Sequence, residues 1–227
     1  MAGGGHSPAL KASRQGRWVA VKVAIVIPAY NEADNIARVL RRATRCRFVH
    51  EVIVVCDGCE DDTAAVARRF PVQVVELATN VGKGGAMMAG VNATDADIIL
   101  FLDADLVGLR TSHIRSLLEP VTSGRADMSL GVFDHGRFAT DLAQRLMPVL
   151  SGQRAVRREI LEGVPELAQS RFGVEVALSR YADRQGFRVV KVRLPGLAQV
   201  MKEEKAGVWR GFRARMKMYW EIIKSYR

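Results

Sequence analysis

Two aspartates close the apolar run "IILFLDADL", at positions 103 and 105. Two residues apart on an extended chain, they project from one side. Paired carboxylates at a strand end make a hard-oxygen site for Mg²⁺ or Mn²⁺. Such an ion would bridge the phosphates of a nucleoside diphosphate and neutralise charge as a diphosphate departs. The bland alternative is two solvated loop aspartates, which an apolar run delivering both to a sheet edge disfavours. A lone Asp-x-Asp is also how haloacid-dehalogenase phosphatases present a nucleophile. Those chains carry it on the first strand with Thr or Val after it, whereas here it follows a fourth strand and precedes Leu106.

The stretch "NVGKGGAMMAG" offers complementary charge. Gly82, Gly84 and Gly85 open a helix whose N–H groups and dipole would face an anion, with Lys83 alongside. It is no Walker loop, lacking Ser/Thr after Lys, and Met87 breaks a G-x-G-x-x-G reading. In "VIVVCDGCEDDT" the pair Cys56 and Cys59 has redox or zinc spacing. The flanking acids oppose a reactive thiolate, and Cys46 is the only further cysteine, so both cysteines read as small residues near a buried turn. Asp57, at a parallel strand's C-terminal end, either meets a base or ribose or caps the next helix.

The elements that must place these residues alternate. "VKVAIVIP", "EVIVVCD", "VQVVEL" and "DIILFLDADL" read as strands. "EADNIARVLRRATR", "DDTAAVARRF" (N-capped by Asp61 or Asp62) and "GKGGAMMAGVNAT" read as helices. The alternation predicts an α/β fold, a mainly parallel central sheet with helices on both faces. Beyond about residue 125, "ADMSLGVF" and "FRVVKVRL" read as strands and "GVEVALSRYADRQG" as a helix closed by Gly186. One domain over 22–227 is expected, with 1–21 as a flexible tail.

The 227 residues carry a net charge of +10, but the excess is terminal. Residues 1–22 hold Lys11, Arg14, Arg17 and Lys22 with no acid, and residues 202–227 hold eight Lys/Arg against three Glu. A nucleic-acid binder usually carries its basic residues across a folded face, so that role is disfavoured. An anionic membrane surface is the better partner for the ends. No apolar run reaches the ~20 residues of a membrane span, and no export signal is present at the start, which points to the cytoplasm or the inner membrane face.

In this order and spacing, "VAIVIPAYNEADNI", "VIVVCDGCEDDT", "NVGKGGAMMAG" and "IILFLDADL" resemble the nucleotide-sugar domain of family-2 glycosyltransferases, the GT-A fold. The resemblance covers roughly residues 22–134 as the donor half. Residues 135–200 would form the acceptor half, in which "SGQRAVRREILEGVP", "RFGVEVALSRYA" and "VVKVRLPGLA" are similar to polyprenyl-phosphate sugar synthases and glucosyl-3-phosphoglycerate synthases. The resemblance implies that Pro28, Ala29, Tyr30 and Glu32 hold the nucleoside and that Asp57 meets the base. Lys83 would lie near ribose and diphosphate, and Asp103, Ala104 and Asp105 would form the metal motif. Gly152, Gln153 and Arg154 would face the acceptor, and Glu175 would be an acid near the transferred sugar. The phosphoglycerate group has a metal-binding histidine after the last strand; here "LPGLAQVMK" offers Gln199, a neutral oxygen, or water takes that place.

The implied reaction is hexose transfer from a nucleoside-diphosphate sugar, UDP-glucose first and GDP-mannose second. A hydroxyl acceptor would need Glu175 as general base. An anionic phosphate acceptor would not, and Arg154 with Arg157 would then hold it, unless they are ordinary surface charge. From Trp209 to Lys224, aromatic and basic residues recur at helical spacing, so residues 201–227 either lie on a membrane or pack on the domain. A membrane role would make the acceptor a lipid or lipid phosphate; otherwise it is a small soluble phosphorylated acid such as 3-phosphoglycerate. A homodimer is one assembly open to such a chain; the sequence does not fix the oligomeric state. A sugar-1-phosphate nucleotidyltransferase would want a basic glycine-rich loop where "IPAYNEADN" is acidic, and a non-catalytic nucleotide-binding module is the remaining class.

Overall fold

The computed structural model describes residues 10–12, 18–133, 152–164 and 174–199. The strands are β1 (Leu10–Ala12), β2 (Trp18–Ala20), β3 (Val23–Ala29), β4 (Glu51–Asp57), β5 (Gln73–Leu77), β6 (Ile98–Phe101), β7 (Leu106–Val107), β8 (Met128–Phe133), β9 (Arg154–Arg157), β10 (Val189–Leu194) and β11 (Ala198–Gln199). The helices are α1 (Ala33–Ala43), α2 (Thr63–Ala67), α3 (Lys83–Asn92), α4 (Thr111–Thr122), α5 (Arg158–Glu162) and α6 (Val174–Arg184).

Seven strands form one sheet in the order β10-β8-β9-β6-β3-β4-β5. All neighbours are parallel except β9, which runs antiparallel to both β6 and β8. Alternation along the central strands feeds two cores. Ile25, Ile27, Val52, Val54, Ile98 and Leu100 face one side, under Ile36, Val39 and Leu40 of α1 and Ile114, Leu117 and Leu118 of α4. Ala24, Val26, Ile53, Val55, Ile99 and Phe101 face the other, under Met87 and Val91 of α3, Ile160 of α5 and Leu178 of α6. A sheet buried on both faces needs near-continuous apolar strands, as "VAIVI" and "VIVV" are.

Three expectations are corrected. The N-terminal stretch contains a pair of strands, β1 against β2, rather than only a flexible tail. The segment after β6 is no extended strand end: the chain turns at Ala104 and Asp105 before β7, so the two-residue spacing does not by itself align the aspartates. Arg154, expected with Gly152 and Gln153 to face the acceptor, instead begins a four-residue strand inside the sheet. Four residues are too few to display a period, and only tertiary pairing defines them.

A two-stranded sheet, β7 with β11, sits just past the turn. It pairs Gln199 with Leu106 and Ala198 with Val107, bringing the end of the described chain back beside Asp105.

Candidate active site

Parallel strands deliver their C-terminal ends to one edge, where open α/β sheets bind ligands. Ala29 pairs with Cys56, Asp57 with Leu77, and Phe101, two residues before Asp103, with Arg154. Pro28, Ala29, Tyr30 and Asp57 therefore share this edge with Asp103, Ala104 and Asp105.

Asp103 is the hub. Its side chain is 12% exposed. Lys83 Nζ donates to Oδ1 at 2.8 Å. Gln153 Nε2 donates to Oδ2 at 2.6 Å, and Gln199 Nε2 donates to the same oxygen. Burial would push the Asp103 carboxyl up, but Lys83 and the Gln153 hydrogen bond outweigh it and hold the acid below its ordinary range. Lys83 also reaches Glu175 Oε1 at 2.6 Å, in the first turn of α6. Burial would lower this ammonium, and the two carboxylates outweigh that and raise it. One cation thus ties the start of α3 to Asp103, just past β6, and to the start of α6.

Asp57 answers the question left open for it. Oδ1 accepts from Val81 N at 2.7 Å and Oδ2 from Gly82 N at 3.0 Å. It holds not the next helix but the two residues that lead into α3, one strand further on, and so helps place Lys83 at the start of that helix. A carboxylate at that positive helix end is favourable. Of the other expected cap residues, Asp61 accepts from Thr63 N at 3.0 Å and Ala33 N at 3.0 Å, linking α2 to α1. Glu32 is buried and accepts from Asn35 Nδ2 at 2.7 Å, while Tyr30 stands 44% exposed at the strand-edge loop.

The cysteines form no disulfide, and burial, with Cys59 adding to it, pushes the Cys56 thiol up to about 12. That is the reverse of a reactive thiol's environment.

The acceptor residues need correction. Arg154 is fully buried and donates from Nη1 to the Glu175 backbone oxygen at 3.0 Å, so it is not surface charge. Burial pushes its guanidinium down to about 10, with Glu175 and Asp103 opposing. Arg157 is not at the site. Because β9 runs backwards, it pairs with Ile98 at the start of β6, about 10 Å along the strand from Arg154. There it lies 3.3 Å from Glu159 and 3.7 Å from Asp127. Gly152, expected in an acceptor loop, lies against the donor side: a Cβ there would be 2.5 Å from Asp103 Oδ2 and 2.8 Å from Lys83 Nζ. No local signal announces that contact, since the residues are 49 and 69 positions apart.

The donor set suits a hard divalent ion. Among the described residues, no three His, Cys, Asp or Glu side chains form a metal cluster. Mg²⁺ in nucleotide sites typically uses one or two carboxylates, with phosphates and water completing the shell. Asp103, Asp105 in the following turn and the Gln199 amide, at hydrogen-bond distance from Asp103, are the residues that could supply such ligands. The Gln199 amide is oriented with nitrogen toward Asp103; a half-turn would present its oxygen.

Glycosyl transferase family 2 matches residues 24–187, most of the chain. The chain belongs to that family. This family-2 chain is 29% identical over 189 residues to the undecaprenyl-phosphate 4-deoxy-4-formamido-L-arabinose transferase of Klebsiella pneumoniae, covering 72% of itself and 57% of that relative. It is 28% identical over 206 residues to the glucosyl-3-phosphoglycerate synthase of Mycobacterium tuberculosis, covering 74% of itself and 62% of the relative. The chain thus spans about three fifths of the length of either. Crystal structures of the mycobacterial synthase share its GT-A fold. One, in complex with Mn²⁺ and UDP-glucose, matches at TM-score 0.67 and 27% identity over 80% of this chain and 72% of that one. Another holds Mg²⁺ and UDP, at TM-score 0.65.

Proposed function

We propose that the chain is a metal-dependent glycosyltransferase that moves a hexose from a nucleoside-diphosphate sugar to a phosphate-bearing acceptor. UDP-glucose is the first donor and GDP-mannose the second. The leading acceptor is a polyprenyl phosphate at a membrane surface, in keeping with the bacterial arabinose transferase it resembles. The observation that carries the reading is Lys83 set between Asp103 and Glu175 at the sheet's ligand-binding edge.

In this account Pro28, Ala29, Tyr30, Glu32 and Asp57 receive the nucleoside. Asp103, Asp105 and Gln199 would hold Mg²⁺ or Mn²⁺, which supplies charge neutralisation to the diphosphate when bound. Lys83 adds a fixed positive charge where the leaving diphosphate gathers negative charge, worth more in a dry site than in water. The acceptor oxygen forms its bond to the anomeric carbon as the carbon–diphosphate bond breaks, and the electron pair leaves on the nucleoside diphosphate. A phosphate acceptor is already anionic, and Glu175 then serves to hold Lys83. A hydroxyl acceptor would give its proton to Glu175.

A second reading, a soluble acceptor such as 3-phosphoglycerate, is favoured by the likeness to mycobacterial structures, one of which holds UDP and phosphoglyceric acid at TM-score 0.67. The membrane argument rests on residues 201–227, which lie outside the described residues. No described helix is long and apolar enough to cross a membrane. Incubation with radiolabelled UDP-glucose, Mn²⁺ and either undecaprenyl phosphate or 3-phosphoglycerate separates the two. Label moving into the organic phase supports the first reading, and label in an anionic aqueous product supports the second. Absence of transfer from both UDP-glucose and GDP-mannose to either acceptor would overturn both.

A further inference from the structure

Gln153 occupies an unusual place for a residue expected to face the acceptor. It is fully buried. Its backbone oxygen accepts from Gly131 N of β8 at 2.8 Å, which locks the main chain to the sheet. Its side chain then reaches across to Asp103 Oδ2 at 2.6 Å. The preceding residue leaves room for this. Gly152 lies so close to the same carboxylate that a methyl group would stand 2.5 Å and 2.6 Å from its two oxygens.

We propose that Gly152–Gln153 is a positioning element for Asp103, setting the orientation of the carboxylate that meets the divalent ion, rather than a contact to the acceptor. The inference rests on the metal-dependent reading above. Its logic is geometric. A carboxylate on a single bond after a strand end has a broad terminal torsion and needs partners to fix it. Lys83 holds one oxygen, and Gln153 holds the other from the residue just ahead of β9, whose backbone is bonded to β8. A ligand to a metal is oriented by its outer hydrogen bonds, and losing such a partner typically costs about 10- to 100-fold in metal affinity. Gln199 donates to the same oxygen from β11, a two-residue strand with both residues exposed, so the buried Gln153 is the rigid partner of the two.

The test is Mn²⁺ binding by electron paramagnetic resonance in the presence of UDP, on the full chain. Gln153→Met keeps length and apolar bulk but removes the amide. It should weaken Mn²⁺ affinity about 10-fold or more, with the acceptor KM, measured with whichever acceptor the transfer assay identifies, moving less than threefold. Gly152→Ala, which crowds the carboxylate from its other side, should move Mn²⁺ affinity in the same direction. Unchanged Mn²⁺ affinity in folded Gln153→Met overturns the inference, whether the variant merely melts earlier or raises the acceptor KM. Should Gln153→Met fail to fold, unchanged Mn²⁺ affinity in Gly152→Ala overturns it as well. Failure of the wild-type chain to bind Mn²⁺ with UDP would instead sink the underlying reading.

Discussion

Lys83, the first residue of α3, and Glu175, in the first turn of α6, meet at 2.6 Å although 92 positions separate them. The contact joins α3, which follows β5, to α6, which precedes β10. It also shares a single ammonium between Glu175 and Asp103. Removing the cation should therefore leave both carboxylates without their shared partner. Lys83→Met is expected to lower kcat by about 10²- to 10³-fold, the size seen when one preorganised stabiliser of developing charge is lost. Steady-state kinetics measure this, and a variant retaining kcat within threefold would contradict the assigned role.

The two-stranded sheet that carries Gln199 depends on Gly108. Its φ is +77°, and a Cβ there would stand 2.2 Å from the Gly196 carbonyl oxygen. Gly108→Ala combines a strained backbone, about 1–3 kcal/mol, with that collision. The expected result is a Tm several degrees lower, together with weaker Mn²⁺ binding as β11 moves away from Asp103. A variant that melts earlier but binds Mn²⁺ as before would show that Gln199 does not contribute to the ion site.

At the opposite edge of the sheet, Asp127 accepts from Arg188 Nη2 at 2.9 Å and Nε at 3.1 Å. The Arg188 side-chain bonds hold this carboxyl below its ordinary range, against burial. A depressed folded-state pKa stabilises above the unfolded value, near 4, and that contribution is lost as pH falls through the folded value. Asp127→Asn should thus lower Tm by about 2–4 °C at pH 7. Wild type and variant should begin to converge as pH falls below about 4 and meet once it is under the folded-state value. Calorimetry across pH 2–8 checks this, and transfer activity measured at 25 °C should be unaffected, because Asp127 and Arg157 lie away from the site. A loss of acceptor affinity in Arg157→Ala would reinstate the role first expected for that residue.

The residues themselves explain what could be read ahead of the structure. The apolar strands and the carboxylates at their ends declare themselves locally, because a strand buried on both faces must be apolar throughout and its polar cargo must come after it. The helices followed from spacing, as with Ile36, Val39, Leu40 and Ala43 of α1. What was hidden depends on direction and distance. Nothing in "RAVR" states that β9 reverses, yet that reversal buries Arg154 beside Glu175 and sends Arg157 to the far edge. Asp57 reads as a cap or a ligand contact, but only folding shows that it holds the turn leading into α3. Asp103 and Asp105 were expected on an extended strand, and a turn at Ala104 intervened.

The central claim is that the Asp103–Asp105 turn, with Lys83 beside it, binds a divalent ion and a nucleoside diphosphate together. Thermal unfolding with UDP or GDP, with and without Mn²⁺, in wild type and Asp105→Ala tests it most directly. A ligand at a hundred times its Kd adds about 2.7 kcal/mol of stability. Wild type should therefore gain several degrees in Tm with one nucleotide plus Mn²⁺, and less with either alone. Asp105→Ala should lose the metal-dependent part of that gain. An equal Mn²⁺-dependent gain in Asp105→Ala, or no nucleotide response in wild type, would contradict the account.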